Sequence, residues 1–296
     1  MLSEIFKLFW KTVERKDARR INSQTPPTEI EQFCDIQYID DGLWQHRLDV
    51  YSKSGKLSHR PVIIDIHGGG WMYGTKEINK NYCLVLALND YVVVNINYRL
   101  APDFSAADQL RDCFSAFKWV STNIEKYGGD LNNVFVTGDS AGGFLAAYSA
   151  LLNSSEKLRK IFGVTESGLE FRACGLTSPV CFMNTHTFQD VYYSRVKGKE
   201  FSESTLRGFE NFDAVINMGS MPPTFLVTSS GDTIGRLPTI KMYNLLCGEG
   251  VKCKLENNGK NLSHVFSVID PFSVPGKETI SDMLGFFSDY VKSRCK

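Results

Sequence analysis

Ten consecutive residues, Val134-Phe135-Val136-Thr137-Gly138-Asp139-Ser140-Ala141-Gly142-Gly143, constrain this fold more than any other stretch. The first four are β-branched or aromatic and read as a strand. The small-residue run at 141–150 reads as a helix. Ser140 therefore sits on a strand-to-helix turn. That turn is so sharp that side chains two residues to either side would collide, so Gly138 and Gly142 lack them. The hydroxyl is lifted above the sheet, and the positive N-terminus of the new helix faces it. A serine presented in this way is set up as a nucleophile.

The flanking chain repeats the strand–helix pattern. Residues 61–66 form an almost continuous apolar strand and 77–88 a helix. Residues 91–97 are a second buried strand, and 104–127 a long helix. Beyond the serine turn come a strand at 171–178, an irregular insert at 181–218, a strand at 224–228 and a helix at 235–246. A strand at 251–256 and a helix at 277–292 close the pattern. Runs buried on both faces, alternating with helices, predict an α/β fold with a mostly parallel sheet and helices on both sides. Earlier in the chain, residues 33–39 and 47–51 alternate around Asp40-Asp41-Gly42, which predicts an antiparallel hairpin.

At the N-terminus, Leu2, Phe6, Phe9 and Val13 recur at helical spacing over residues 1–20, flanked by Ile5 and Trp10. Such a helix either packs on the body of the protein or caps the active site and touches substrate. Membrane docking is a third reading, weakened because basic residues do not gather on one clean face. Residues 23–27 form a linker to the hairpin.

Lys plus Arg and Asp plus Glu both number 33, and no polybasic run occurs, which argues against nucleic acid as a partner. The eight cysteines form no C-x-x-C pair and read as reduced core residues of a cytoplasmic protein. No apolar segment reaches the roughly 18 residues of a membrane span, and residues 1–20 do not have the form of a secretory signal. The 296 residues are expected to form one domain.

A nucleophilic serine needs a base, an orienting acid and donors for an oxyanion. Of His46, His59, His67, His186 and His264, only His264 follows the last sheet strand. His46 and His59 lie near turns and are expected at the surface. For the acid, the strand at 224–228 runs through Ser229-Ser230-Gly231 into Asp232 at the carboxyl edge of the sheet, where ligands bind in open α/β folds. A turn-forming or helix-capping role is its alternative, and Asp270 and Glu256 are substitute acids. Asp65, inside the apolar strand at 61–66, reads as a hydrogen-bonded structural carboxylate.

The run His67-Gly68-Gly69-Gly70-Trp71 lets backbone N–H groups of Gly69 and Gly70 approach a carbonyl oxygen, together with that of Ala141. A phosphate loop is excluded, because no Gly-Lys-Ser/Thr follows and G-x-G-x-x-G is absent. Trp71 and Tyr73 beside this loop are open to two readings, lining of an acyl pocket or aromatic core packing.

His67 to Trp71, Asn97-Tyr98-Arg99-Leu100-Ala101-Pro102 and Gly138 to Gly143 together resemble the hormone-sensitive-lipase-like carboxylesterases, α/β-hydrolases. The resemblance spans about residues 60–290. It implies a mostly parallel sheet of about eight strands and a small cap drawn from residues 1–40 and 181–218. It also implies ester hydrolysis through a serine acyl-enzyme, with no metal or cofactor. Ser140 would be the nucleophile, His264 the base and Asp232 the acid, with the oxyanion hole at Gly69, Gly70 and Ala141. Two departures stand out. Asp232 is followed by Thr233-Ile234 rather than Pro-Leu, and residues 103–106 read Asp-Phe-Ser-Ala rather than a His/Pro-rich stretch.

The expected substrates are small, largely apolar acyl esters. Amides, formamides or acetylated sugars use the same residues and remain alternatives, since pocket shape decides between them. A non-catalytic small-ligand receptor and a membrane lipase are readings of other kinds. A homodimer is left open.

Overall fold

A computed structural model describes residues 2–55, 59–184, 189–203 and 205–293. His186 and Cys295 lie outside the described residues. The elements run α1 (Leu2–Ser23), β1 (Ile30–Gln37), β2 (Arg47–Lys53), β3 (Arg60–Ile66), α2 (Lys80–Leu88), β4 (Val92–Ile96), α3 (Ala106–Asn123), β5 (Gly129–Asp139) and α4 (Ser140–Asn153). They continue with α5 (Glu156–Phe162), β6 (Phe171–Thr177), α6 (Gln189–Glu203), β7 (Thr224–Ser229), α7 (Arg236–Gly248), β8 (Cys253–Asn258), α8 (Phe266–Ile269) and α9 (Val274–Ser288).

The eight strands form one sheet in the order β1-β2-β4-β3-β5-β6-β7-β8. β1 pairs antiparallel with β2, and β2 with β4; every other pairing is parallel. The expected α/β class and the hairpin are both present. Strand periodicity builds two cores. Val62, Ile64 and Ile66 of β3 face the layer containing α3 and α4, while Ile63 faces α2 and α9. In the central strand Val134 and Val136 take the first side. Phe135 takes the second and stacks on Phe287 of α9 at 4.6 Å.

Several sequence expectations need correction. His46 is not at the surface but 3% exposed, with Nδ1 2.6 Å from Asp41 and Nε2 3.3 Å from Asp112. Burial pulls its pKa down, but the hydrogen bonds and charges of Asp112 and Asp41 outweigh that and leave it raised. Turn proximity in the sequence gave no hint of these two carboxylates. The insert is not irregular throughout, because it holds α6, bent at Gly198 (φ 60°). Helix α5 is short, with Leu158, Ile161 and Phe162 on one face. Its caps bound it: Ser155 Oγ accepts from the Leu158 N–H at 3.3 Å, and Gly163 closes it in the left-handed region. Among the cysteines, Cys34 and Cys247 are exposed rather than in the core.

The stretch at 103–106 has a local explanation. Ser105 and Asp108 form a capping box at the start of α3, each side chain bonded to the other's backbone N–H. Just before it, the Arg99 guanidinium grips Asp112 at 2.6 Å and covers the Phe104 ring at 4.4 Å.

Helix α1 lies against the carboxyl end of the sheet. Arg20 bonds the carbonyls of Ile78 and Ile269 at 3.0 and 3.1 Å, and Gln24 also reaches Ile269 O, at 2.7 Å. Phe6, Trp10 and Val13 face inward, whereas Phe9 is 55% exposed and Leu8 69%. Among the described residues no helix is long and apolar enough to cross a membrane.

Candidate active site

Ser140 stands where β5 ends and α4 begins, with φ 52°, a left-handed conformation unusual for a residue with a side chain. The glycines around it are required by contact. A Cβ on Gly138 would fall on the carbonyl of Gly142, and one on Gly142 would fall on the carbonyls of Ile66 and His67. The elbow is thereby pressed against the end of β3. That close approach brings the glycine loop beside the serine.

His264 follows β8, and Asp232 follows β7, the neighbouring strand. The imidazole Nε2 is 2.9 Å from Ser140 Oγ, and Nδ1 is 2.9 Å from Asp232 Oδ1. Three side chains 124 and 32 residues apart in sequence thus form one chain of hydrogen bonds. Asp232 also serves its own loop, since Oδ1 accepts the N–H groups of Ile234 at 3.0 Å and Gly235 at 2.7 Å. Burial works to raise the Asp232 pKa, but the His264 hydrogen bond and charge, aided by the Gly235 N–H, hold it well below the usual carboxylate range. It is an anion at neutral pH. The Asp232 and His264 loops are fastened together, because Ser229 Oγ donates to Leu262 O at 2.7 Å and a Cβ on Gly231 would press on Leu262 O.

The substitute acids lie elsewhere. Glu256 accepts from Thr279 Oγ1 at 2.5 Å between β8 and α9, and Asp270 borders a separate cleft with Ser273 and Lys277.

The loop after β3 takes the conformation its glycines allow. Gly69 has φ 106° and Gly70 φ 57°, and a Cβ on Gly69 would strike the carbonyl of Tyr73. Trp71 is also left-handed, at φ 63°. It is fixed by two bonds to its carbonyl, from Ala101 N–H at 2.8 Å and Gln109 Nε2 at 2.9 Å. Its ring is 2% exposed, edge-on to Phe144 and Tyr193. His67 is fully buried, bonded through Nδ1 to Gly68 O at 2.7 Å and stacked on Tyr98. Burial drops its pKa to about 4, so it is neutral support for the loop. Tyr98 completes that support by donating to His67 O at 2.7 Å.

Beneath the loop lies a polar group of which the sequence pointed only to Asp65. Asp139 Oδ1 accepts the Gly68 N–H at 3.0 Å and Asn79 Nδ2 at 2.8 Å, and the same Asn79 nitrogen donates to Asp65 Oδ2 at 2.9 Å. Asp65 accepts in addition from Thr137 Oγ1 at 2.9 Å. Burial, with the nearby Asp139 charge, pushes Asp65 up to about 7, and burial also raises Asp139. Asp65 is thus a hydrogen-bonded structural carboxylate. Asp139 sits inside the serine motif and was within reach of sequence reasoning. Asn79, in a short turn of helix before α2, carried no signal.

Ser140 and His264 open into a cavity of about 520 Å³. Its chemical side is the glycine loop, with Trp71 and Tyr73 on the wall. The opposite side is apolar: Phe6, Phe9, Trp10 and Val13 from α1, and Tyr192 and Tyr193 from α6. Tyr192 Oη donates to Gly70 O at 2.6 Å, and the Trp10 ring lies against Gly70. Among the described residues no His/Cys/Asp/Glu cluster could hold a metal ion.

Known proteins carry the same architecture. A profile of the BD-FAE family matches residues 48–193. Crystalline Esterase B from Lactobacillus rhamnosis superposes with a TM-score of 0.92 at 28% identity, covering 98% of this chain and 95% of that one. The chain has the α/β-hydrolase fold, and the proteins it resembles are esterases. Carboxylesterase NlhH of Mycobacterium tuberculosis is 25% identical over 256 residues, 83% of this chain and 79% of its own. Versiconal hemiacetal acetate esterase of Dothistroma septosporum is 36% identical over 112 residues, but the match takes in only 38% of this chain and 33% of the fungal one.

Proposed function

We propose that this α/β-hydrolase is a serine carboxylesterase acting on small, largely apolar acyl esters. The observation that carries the reading is the imidazole of His264, set 2.9 Å from both Ser140 Oγ and Asp232 Oδ1. Ser140 Oγ attacks the ester carbonyl carbon as its proton passes to His264 Nε2. The carbonyl π electrons move onto oxygen, and the N–H groups of Gly69, Gly70 and Ala141 receive that charge. The tetrahedral intermediate then expels the alkoxide, which takes the proton from His264 and leaves as the alcohol. Water repeats the sequence on the acyl-enzyme, releasing the carboxylic acid and restoring Ser140. Asp232 keeps Nδ1 protonated, so that Nε2 is the free base, and stabilises the imidazolium between the two transfers.

The apolar lining of the cavity supports an uncharged acyl group. The Lactobacillus relative is described as inhibited by a C4-C4 tributyrin phosphonate, in keeping with short acyl chains. The free thiols of Cys34 and Cys247, exposed to solvent, support a reducing compartment such as the cytoplasm.

The test is hydrolysis of p-nitrophenyl butyrate together with labelling by a fluorophosphonate. Wild type should turn over and label at Ser140. Ser140→Ala should lose about 10⁵–10⁶ in kcat and all labelling. A pure wild-type sample that neither labels nor turns over any ester would overturn the assignment.

A further inference from the structure

The Trp10–Tyr73 pair divides two chambers. On one side is the 520 Å³ cavity that holds Ser140 and His264. On the other is a cavity of about 540 Å³ between α1 and the body, floored by Met72, Leu100 and Pro102. Both chambers are bounded by Phe6, Trp10, Asp17, Tyr73 and Ile78, so these five residues are the partition. Its centre is the pair of rings, nearly parallel at 12° with centroids 5.2 Å apart. The partition is held in place by polar bonds. Tyr73 Oη donates to Asp17 Oδ2 at 3.1 Å, Asp17 pairs with Arg20 at 3.0 Å, and Arg20 is tied to the carbonyl of Ile78.

The partition's position matters for a chain leaving the serine. Tyr73 follows the glycine loop, and the Trp10 ring lies against Gly70 within it. An ester whose carbonyl oxygen faces this loop has the ring pair as the near end of the space on that side. Behind the pair lies a second space of similar size, with Met72, Leu100 and Pro102 on its floor and Lys11, Glu14 and Arg195 at its edge.

We propose that Trp10 and Tyr73 set the length of the ester chain this site accepts, and that the second chamber is the room a longer saturated chain would occupy once the partition is cut back. This inference rests on the serine-esterase reading. Asp17 and Arg20 are positioning residues for the wall. Trp10 and Tyr73 contact the substrate chain.

The experiment compares wild type and Trp10→Ala on p-nitrophenyl esters from acetate to decanoate, and on alkyl acetates from ethyl to decyl, so that acyl and alcohol chains are tested separately. A buried methylene is worth about fourfold in binding, so several newly accommodated methylenes should raise the long-to-short ratio of kcat/KM by about tenfold or more in one series. Adding Ala18→Phe, which intrudes on the second chamber alone, should return the ratio toward the wild-type value. Trp10→Leu provides a second variant if the alanine form does not fold.

Unchanged ratios in both series, in a variant that labels normally with fluorophosphonate, would overturn the proposal. So would an equal loss on every chain length, which would make Trp10 only a brace for α1. A wild type that neither labels nor hydrolyses any ester fails the esterase reading itself, and this proposal with it. Normal labelling with unchanged ratios fails the proposal alone.

Discussion

Ser140, Asp232 and His264 are set on loops at the ends of β5, β7 and β8, and main-chain contacts clamp each loop, whereas the faces opposite them on α1 and α6 meet the body through rings and through side-chain bonds of Asp17, Arg20 and Tyr192. At the sheet edge a single added carbon would collide with backbone at Gly69, Gly138, Gly142 and Gly231. Across the cavity, Trp10 meets Tyr73, and Phe6 meets Tyr192 edge-on at 5.1 Å. Backbone against backbone leaves one arrangement and few alternatives. Ring against ring tolerates replacement by another apolar group of similar size. The proposed chemistry thus falls on the stiffer region and the proposed choice of chain length on the more adaptable one.

That contrast predicts different kinetic signatures. Asp232→Asn should cost about 10⁴ in kcat by disturbing the imidazole tautomer, and by the same factor for short and long esters. A loss confined to long chains would erase the division between the two regions. Gly69→Ala comes next. The new Cβ lands on the Tyr73 carbonyl, and the φ of 106° disfavours any side chain, so the proposed oxyanion donors must move. About 10²–10³ in kcat should be lost, again evenly across the ester series. A changed chain-length profile would show that the loop belongs to both regions.

The third prediction concerns the rigidity of the sheet edge rather than turnover. The Asp65 carboxyl, raised from 3.8 to about 7, keeps in the folded protein a proton that the unfolded chain releases. Stability therefore falls as pH rises from about 4 to 7, and the whole cost is present above 7. Asp65→Asn removes that cost while retaining one acceptor and one donor for Asn79 and Thr137. Its advantage over wild type in urea unfolding should grow by on the order of 1–3 kcal/mol between pH 4 and pH 8. A constant difference across that range would mean that Asp65 ionises in the fold as easily as outside it.

Much of the stiff region was legible in the chain. Strand runs apolar on both faces, each ending in glycine, serine or aspartate, mark where a parallel sheet presents its loops. The sharpness of the serine turn is written in its two glycines. Asp232 was legible as one carboxylate at a strand end, and in the structure it lies beside the His264 imidazole while tying down the start of α7. Other features were not legible. His46 is buried between Asp41 and Asp112, a meeting of three segments that no single stretch announces. Asn79 bridges carboxylates on two strands, and its neighbours in sequence say nothing of either.

The sequence by itself determined the strands of the sheet and the helices between them outside α5 and α6, the elbow at Ser140 and the glycine loop, because these depend on local sterics: where a Cβ fits, which residues pleat, which helix ends are capped. Tertiary structure alone decided that Trp10 and Tyr192 lean on Gly70 and that Trp10 and Tyr73 stand between two cavities. Those contacts join helices 180 residues apart to a loop between them, and packing of that kind is chosen by the shape left over once the sheet has formed.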